Sequence, residues 1–207
     1  MTPKGYTTEE KIENYLLQDI DSSFSDQIDN WIVAVENYID KETGRNFIAD
    51  STASERRFNG SDKNIILIDD CIEVTKVEVA TDVYGESLTE ISSDDYILLP
   101  RDYDADGKPI KGVFAKNYVF SSGIKGLANH QITAKWGYSE SVPGDIEFAA
   151  TVLVGGIINF QRGSGQEVKS EKIGDYSISY NNDNSGNSMN DFQQIEHILK
   201  SYKKYNL

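Results

Sequence analysis

The stretch that opens at Pro143-Gly144-Asp145 would be apolar around nearly its whole circumference as a helix, with Ile146, Phe148, Ala149, Leu153, Val154 and Ile158 spread over every side. Such a helix must be buried on several sides at once. At 100° per residue only one narrow stripe stays polar or small, namely Thr151, Gly155 and Asn159 at i, i+4 and i+8. A chain of 207 residues supplies that many partners with difficulty. The pattern therefore predicts that copies of the chain pack together, with Val152 and Ile157 among the residues that meet a neighbour. Assembly, rather than catalysis, is the expectation.

Size and composition fit a soluble globular protein of one domain or two small ones. Hydrophobic residues make up 38% and charged residues 26%, enough for a core without metals or disulfides. Cys71 stands alone, so no intrachain disulfide can form and a reducing cytosol is expected. Residues 7–13 are polar and acidic, unlike a signal peptide. The longest apolar run, 148–160, is too short and too interrupted to span a bilayer. The net charge of −14 lacks the basic excess that phosphate binding requires. A carboxylate-lined surface would instead repel DNA, as a pore through which DNA slides could use. Acidity that merely maintains solubility is the simpler alternative.

Periodicity divides the chain into a helical frame with a β insertion. Thr7-Thr8-Glu9-Glu10 reads as a capping box with Thr7 as N-cap, followed by a short helix bearing Ile12, Tyr15 and Leu16 on one face. Ser25 or Asp26 caps a longer helix whose apolar positions are Ile28, Trp31, Ile32, Val35 and Ile39, ended by Gly44. From about Arg56 the period becomes that of strands. Ile65 to Ile68 is an apolar run, and Ile72 and Val74 alternate out of phase with Val77 and Val79. The slip at Thr75-Lys76 implies a β-bulge or a break between strands. Tyr96 to Leu99, the pair Tyr118 and Phe120, and the series Ile132, Ala134, Trp136, Tyr138 complete the β pattern. Residues 102–112 and 121–126 are expected to be loops. After the apolar helix, Tyr176, Ile178 and Tyr180 alternate with serines along a strand-like arm. A polar linker at 181–188 leads to a last helix, started by Ser188 or Asn190, with Phe192, Ile195, Leu199 and Tyr202 on one face and Lys200, Lys203 and Lys204 at its end. The expected fold class is α+β. About four helices form a frame in residues 1–55 and 141–207, a small antiparallel β unit occupies 56–140, and an extended C-terminal arm follows.

No catalytic or cofactor motif emerges. His130 and His197 lie far from other ligand types at metal spacing, and there is no nucleophile elbow, P-loop or dinucleotide turn. No cofactor is expected. Asp102-Tyr103-Asp104-Ala105-Asp106-Gly107 imitates the start of a calcium loop, but position 12 is Val113 where the loop needs a bidentate Glu. A solvated turn is the better reading. Asn59-Gly60-Ser61 is a turn that happens to match a glycosylation pattern.

Three stretches resemble one family. Tyr38-Ile39 leading to Thr43-Gly44-Arg45-Asn46-Phe47, then Trp136-Gly137-Tyr138 with Val142-Pro143-Gly144-Asp145-Ile146, then Ser170-Glu171-Lys172-Ile173-Gly174-Asp175-Tyr176-Ser177 are similar in order and spacing to landmarks of bacteriophage head-to-tail connector (adaptor) proteins. The resemblance covers about half the chain. It implies a structural virion protein, not an enzyme, forming a ring of about twelve copies under the portal. Such a ring sits in the neck between capsid and tail and is assembled in the bacterial cytoplasm. It extends the DNA channel without binding genomic DNA specifically, and offers a platform to a stopper or tail-completion protein. Carried over by position, Phe192, Ile195, Leu199, Tyr202 and Lys203 would bind the portal. Ile173, Tyr176, Ile178 and Tyr180 would join neighbouring copies. The β insertion departs from short members of the family and is assigned to the ring periphery or a tail contact. Rival readings are a neck stopper, a calcium- or carbohydrate-binding virion module, and a hydrolase built on scattered carboxylates.

Overall fold

The computed structural model describes residues 2–105, 107–124, 128–162, 170–173, 176–179 and 191–204. Two compact units emerge, one from residues 1–45 and 142–207 and the other from 46–141. The fold is α+β, with four α-helices and a six-stranded antiparallel sheet among the described residues.

The helical unit contains α1 (Glu9–Leu16), α2 (Ser25–Thr43), α3 (Gly144–Gln161) and α4 (Asp191–Tyr202). Its centre is α3, against which α1, α2 and α4 all pack. This overturns the expectation that α3 must finish its burial on sister molecules. Three helices of its own chain cover it, and Val152 and Ile157 are only 4% and 3% exposed. Their side chains lie inside the subunit, so they are not available to a neighbour. Only Phe148 and Phe160 remain as large exposed apolar groups on α3. The polar stripe marks where α1 comes close. The Thr151 hydroxyl donates to the Glu147 carbonyl at 2.8 Å and meets the Thr7 hydroxyl at 2.7 Å. One turn on, Gly155 leaves room for the Tyr15 ring, because a Cβ there would stand 3.0 Å from Tyr15 Cδ1.

Helix ends follow local chemistry, with two adjustments. Thr8, not Thr7, is the N-cap of α1, its Oγ1 accepting from Lys11 N at 3.4 Å. Thr7 is buried against Thr151 instead. A 3₁₀ turn at Ser22–Phe24 feeds directly into α2, so neither Ser25 nor Asp26 serves as its cap. Gly44 ends α2 in the left-handed region at φ 70°, where glycine carries no Cβ penalty. The segment before α1 is strapped to α2 by Glu36, which is 1% exposed. Its carboxylate accepts the backbone N–H groups of Lys4, Gly5 and Tyr6 at 2.8, 2.8 and 3.0 Å. Asp40 adds the Tyr6 hydroxyl at 2.5 Å and an ion pair with Lys4.

The second unit is built on β2 (Ile65–Ala80), a strand of 16 residues that changes partner along its length. Its first part pairs with β5 (Ile110–Ala115) and its second with β6 (His130–Trp136), and Cys71 is opposite both Ile110 and Trp136. Register shifts between Cys71 and Glu73 and between Val74 and Lys76 put irregularities where the alternation slips. Beyond these strands, β1 (Ser54–Phe58) pairs with β6, β4 (Tyr96–Leu99) with β5, and β3 (Leu88–Glu90) with the end of β2. The inward side holds Ile66, Val77, Val113, Phe120, Ile132 and Trp136. Two features depart from expectation. The stretch expected to be a loop up to residue 112 contains the first half of β5. Tyr118 and Phe120 do not form a strand; Phe120 makes one isolated bridge to Lys63 and is buried, while Tyr118 faces solvent. The expected boundary at 55/56 falls inside β1, and the unit begins at Asn46. Farther on, β7 (Ser170–Ile173) and β8 (Tyr176–Ser179) form a two-stranded antiparallel pair with Ile173 opposite Tyr176. Tyr180, the 181–188 linker, Ser188 and Asn190 lie outside the described residues.

Two consequences can be measured. Glu36→Ala leaves three backbone donors without their acceptor and is expected to destabilise the protein by about 2–3 kcal/mol in urea denaturation. His130 is fully buried, accepting Ala80 N–H at Nδ1 (3.0 Å) with Nε2 2.9 Å from the Ser121 carbonyl. Burial lowers its pKa below the ordinary 6.5, outweighing the opposing hydrogen bond to Ser121. The unfolded chain therefore takes up this proton first. Stability is fully present above pH 6.5 and is lost as pH falls from there to the lower folded value. The urea midpoint of the β unit should drop between pH 7 and pH 5, and His130→Gln should flatten that slope. Asp62 and Asp82, held low by hydrogen bonds from Ser122 and Ser87, titrate below 3.8 and leave this window clear.

Candidate assembly surfaces

Helix α4 is apolar on one side only, and that side is already occupied. Ile195 and Leu199 recur at i and i+4 and are 2% and 6% exposed. Of the five residues expected to bind a portal, these two hold α4 on its own frame. The physical reason is that α2 and α3 offer them an apolar seat within the same chain. Tyr202 is half-buried, its hydroxyl donating to Asp145 Oδ1 at the start of α3 at 3.0 Å. Phe192 and Lys203 sit on the flank of α4 that faces α2, where they line an open groove of about 250 Å³ with Tyr38, Glu42, Leu153 and Glu196.

The C-terminal ends of α2 and α4 meet. Arg45 Nε donates to the Tyr202 carbonyl at 2.5 Å, and Lys204 N–H donates to the Thr43 carbonyl at 2.7 Å. Each contact satisfies a carbonyl that a helix end leaves without an intrahelical partner. Cations gather there as the helix dipole favours, with Lys41 in the last turn of α2 and Lys200 in that of α4. Lys200 also pairs with Glu196 at 2.8 Å.

The remaining expected contact residues fall on the β7–β8 pair. Ile173, Tyr176 and Ile178 lie in those strands by backbone, and Tyr180 lies outside the described residues. The pairing of β8 with β7 takes up one edge of each strand.

In the β unit, residues 102–105 form a turn, and Asp106 is outside the described residues. Tyr103 and Asp104 line a hollow of about 350 Å³ with Glu73, Lys108, Tyr138 and Glu140. Glu73 is paired with Lys135 at 2.6 Å. Among the described residues no three His, Cys, Asp or Glu side chains converge to hold a metal, and no helix is long and apolar enough to cross a membrane. Cys71 is buried, and burial together with the nearby Asp70 and Asp69 pushes its thiol up to about 12. It is an inert core residue at neutral pH.

Sequence periodicity identified the inward face of α4 but missed Leu17. This residue closes α1 in the left-handed region at φ 54° and is 91% exposed. Nothing in the local sequence announces that conformation for a leucine. Replacing Ile195 or Leu199 with Ala should destabilise the isolated subunit by about 2–4 kcal/mol in chemical denaturation, the ordinary cost of emptying a buried aliphatic site. A helix awaiting a partner would show almost no change.

No protein-family model and no curated protein matches the chain. Solved structures do. The fold is similar to a chain from the neck of an empty GTA particle computed with C6 symmetry, over 100% of this chain and 94% of that one, with a TM-score of 0.59 and 11% identity. It is also similar to a chain from the neck of a native GTA particle computed with C12 symmetry, over 96% and 88% of the two chains, with a TM-score of 0.53 and 12% identity. At such identities the likeness is one of fold, and it extends over both units.

Proposed function

We propose that this chain is a structural subunit of the neck of a phage-like particle, a head-to-tail adaptor that assembles as a ring beneath the portal. The observation that carries the reading is the end-to-end fold likeness to a neck chain, which spans all of this chain and nearly all of the other. A likeness confined to the β unit or to the helices would not distinguish a neck subunit from any other use of the same parts. The symmetries given for the similar necks, C6 and C12, support a ring. A net charge of −14 suits the wall of a channel that must let DNA slide without gripping it.

In this reading the ring receives the portal on one side and a stopper or tail-completion protein on the other. It acts in the particle's neck after assembly in the host cytoplasm and performs no catalysis. The portal meets α4 on the side opposite Ile195 and Leu199, where Gln193, His197 and Ser201 are exposed. The β7–β8 segment, with Ile173, Tyr176, Ile178 and Tyr180, joins neighbouring copies.

Electron microscopy and co-sedimentation with purified cognate portal test this. An adaptor forms a ring on the portal directly, and His197→Asp with Ser201→Asp weakens that binding without lowering the subunit's melting temperature. A chain that ignores bare portal but binds a portal already carrying another ring is a stopper. A chain that binds neither overturns the neck reading.

A further inference from the structure

The turn after β1 carries a chemistry that assembly does not use. Asn59-Gly60 is the sole Asn-Gly step in the 207 residues. An asparagine before glycine is a step at which a chain readily modifies itself, because no glycine side chain hinders its backbone nitrogen from reaching the asparagine Cγ. Asn59 is exposed to water.

One buried residue grips the chain on both sides of Asn59. Asn129 is 0% exposed; its backbone N–H donates to the Phe58 carbonyl at 3.1 Å, and its Oδ1 accepts the Gly60 N–H at 3.1 Å. The grip is itself anchored. Asn129 Nδ2 donates to the Ser121 carbonyl at 2.9 Å, and His130 Nε2 lies 2.9 Å from the same oxygen. Gly60 lies flat on this carbonyl, since a Cβ there would fall 2.0 Å from the Ser121 oxygen. Farther on, the Asp62 N–H donates to the Phe120 carbonyl at 2.9 Å, while its carboxylate accepts the Ser122 N–H and hydroxyl at 2.7 and 2.6 Å. Phe58, Gly60 and Asp62 are each tied down, and Asn59 sits between two of the ties.

We propose that Asn59 is a latent site of spontaneous deamidation, and that the Asn129 clamp is the gate that keeps it unmodified in the folded subunit. In the reaction the Gly60 nitrogen loses its hydrogen and attacks Asn59 Cγ. A bond forms between that nitrogen and Cγ, the Cγ–Nδ2 bond breaks, and ammonia leaves with the proton. Water then opens the cyclic imide at either carbonyl, giving aspartate or isoaspartate at position 59. While the Gly60 N–H is held by Asn129 and its Cα rests on Ser121, the nitrogen can neither give up its hydrogen nor swing towards Cγ. Modification therefore proceeds from the locally open form, in which the turn has left Ser121 and Asn129. Closing does not undo it. Isoaspartate routes the main chain through the former side chain and adds a carbon between Phe58 and Gly60, so the two Asn129 bonds no longer form together. The site belongs to the subunit alone and does not depend on the neck reading.

Peptide mapping by mass spectrometry tests this on the full chain. Cleavage after Arg57 and Lys63 releases residues 58–63, in which Asn59 is the only asparagine. At mildly alkaline pH, Asn59 should deamidate quickly in concentrated guanidinium chloride and slowly in buffer. The ratio of the two rates should match the hydrogen-exchange protection factor of the Gly60 amide, because one opening governs both. Asn129→Ala, where urea denaturation shows the β unit still folded, should raise the rate in buffer about tenfold. Should that variant fail to fold, the match between rate ratio and protection factor decides alone. The isoaspartate fraction of the unmodified sequence should show a lower urea midpoint for the β unit. Equal rates in buffer and denaturant overturn the gate, as does a rate ratio more than about tenfold away from the Gly60 protection factor. A folded Asn129→Ala variant with the original rate overturns the clamp, and an unchanged midpoint in the isoaspartate fraction overturns its loss on modification.

Discussion

The subunit depends on one close approach, the crossing of α1 over α3 at Thr151 and Gly155. Every other side of α3 is covered by bulky apolar residues, so α1 can come near only where α3 offers a hydroxyl and a bare Cα. The Thr7–Thr151 pair satisfies the one buried polar group on that path, and Tyr15 fills the space above Gly155. Once α1 lies there, α2 and α4 take the remaining sides, and the loop carrying Leu17 is set at the far end of α3 from the C-terminus of α4. The Glu36 strap fixes the approach from the other direction by converging three backbone N–H groups on one carboxylate. A helix that looked as though it needed other molecules is thus a helix whose partners arrive from both ends of its own chain.

The β unit solves a different problem with an irregular strand. A straight strand of the length of β2 would keep a single set of partners and a single inward face. The register shifts around Cys71–Glu73 and Val74–Lys76 let it turn, so that Ile66 and Ile68 face the same core as Val77 and Val79 although their alternation is out of phase. Trp136 ties the edge down, donating to the Ser54 carbonyl at 2.8 Å beneath the Arg56 guanidinium, which lies 4.6 Å from its ring centroid. Gly137 allows the chain to leave β6 against residue 49, since a Cβ there would fall 2.4 Å from the Ala49 Cα.

What was legible in the sequence was whatever leaves a local trace. The apolar spacing of α2, its end at Gly44, the alternation in β6 and the slip at Thr75-Lys76 all depend on neighbours within a few residues, and all appear in the structure. Strand β1 was missed because Ser-Glu-Arg-Arg-Phe is an edge strand with four exposed residues and carries no apolar alternation. Strand β5 was missed because Ile110 and Val113 are both buried although they differ in parity, an effect of the shift opposite Leu67 and Cys71. Periodicity also shows how much of a helix must be covered but not which chain covers it. Val152, Ile157, Ile195 and Leu199 show this, each expected to meet a partner and each buried within its own subunit. Leu17 left no trace at all, because its left-handed conformation follows from where α1 must stop and not from the residue itself.

The internal satisfaction of α3 and α4 changes what kind of assembly the proposed ring can be. A subunit whose large apolar surfaces were open would associate anywhere, including off the particle. Among the described residues the large apolar groups left exposed are scattered, Leu17, Leu67, Val119 and Phe160 among them, so a contact built on any one of them is weak. Weak contacts become decisive on a template, where a subunit already docked meets the next at high effective concentration. In the proposed ring, α4 keeps Ile195 and Leu199 on its own frame and turns its outer side to the portal. By linkage, whatever factor docking contributes to a neighbour's contact, a seated neighbour contributes the same factor to docking.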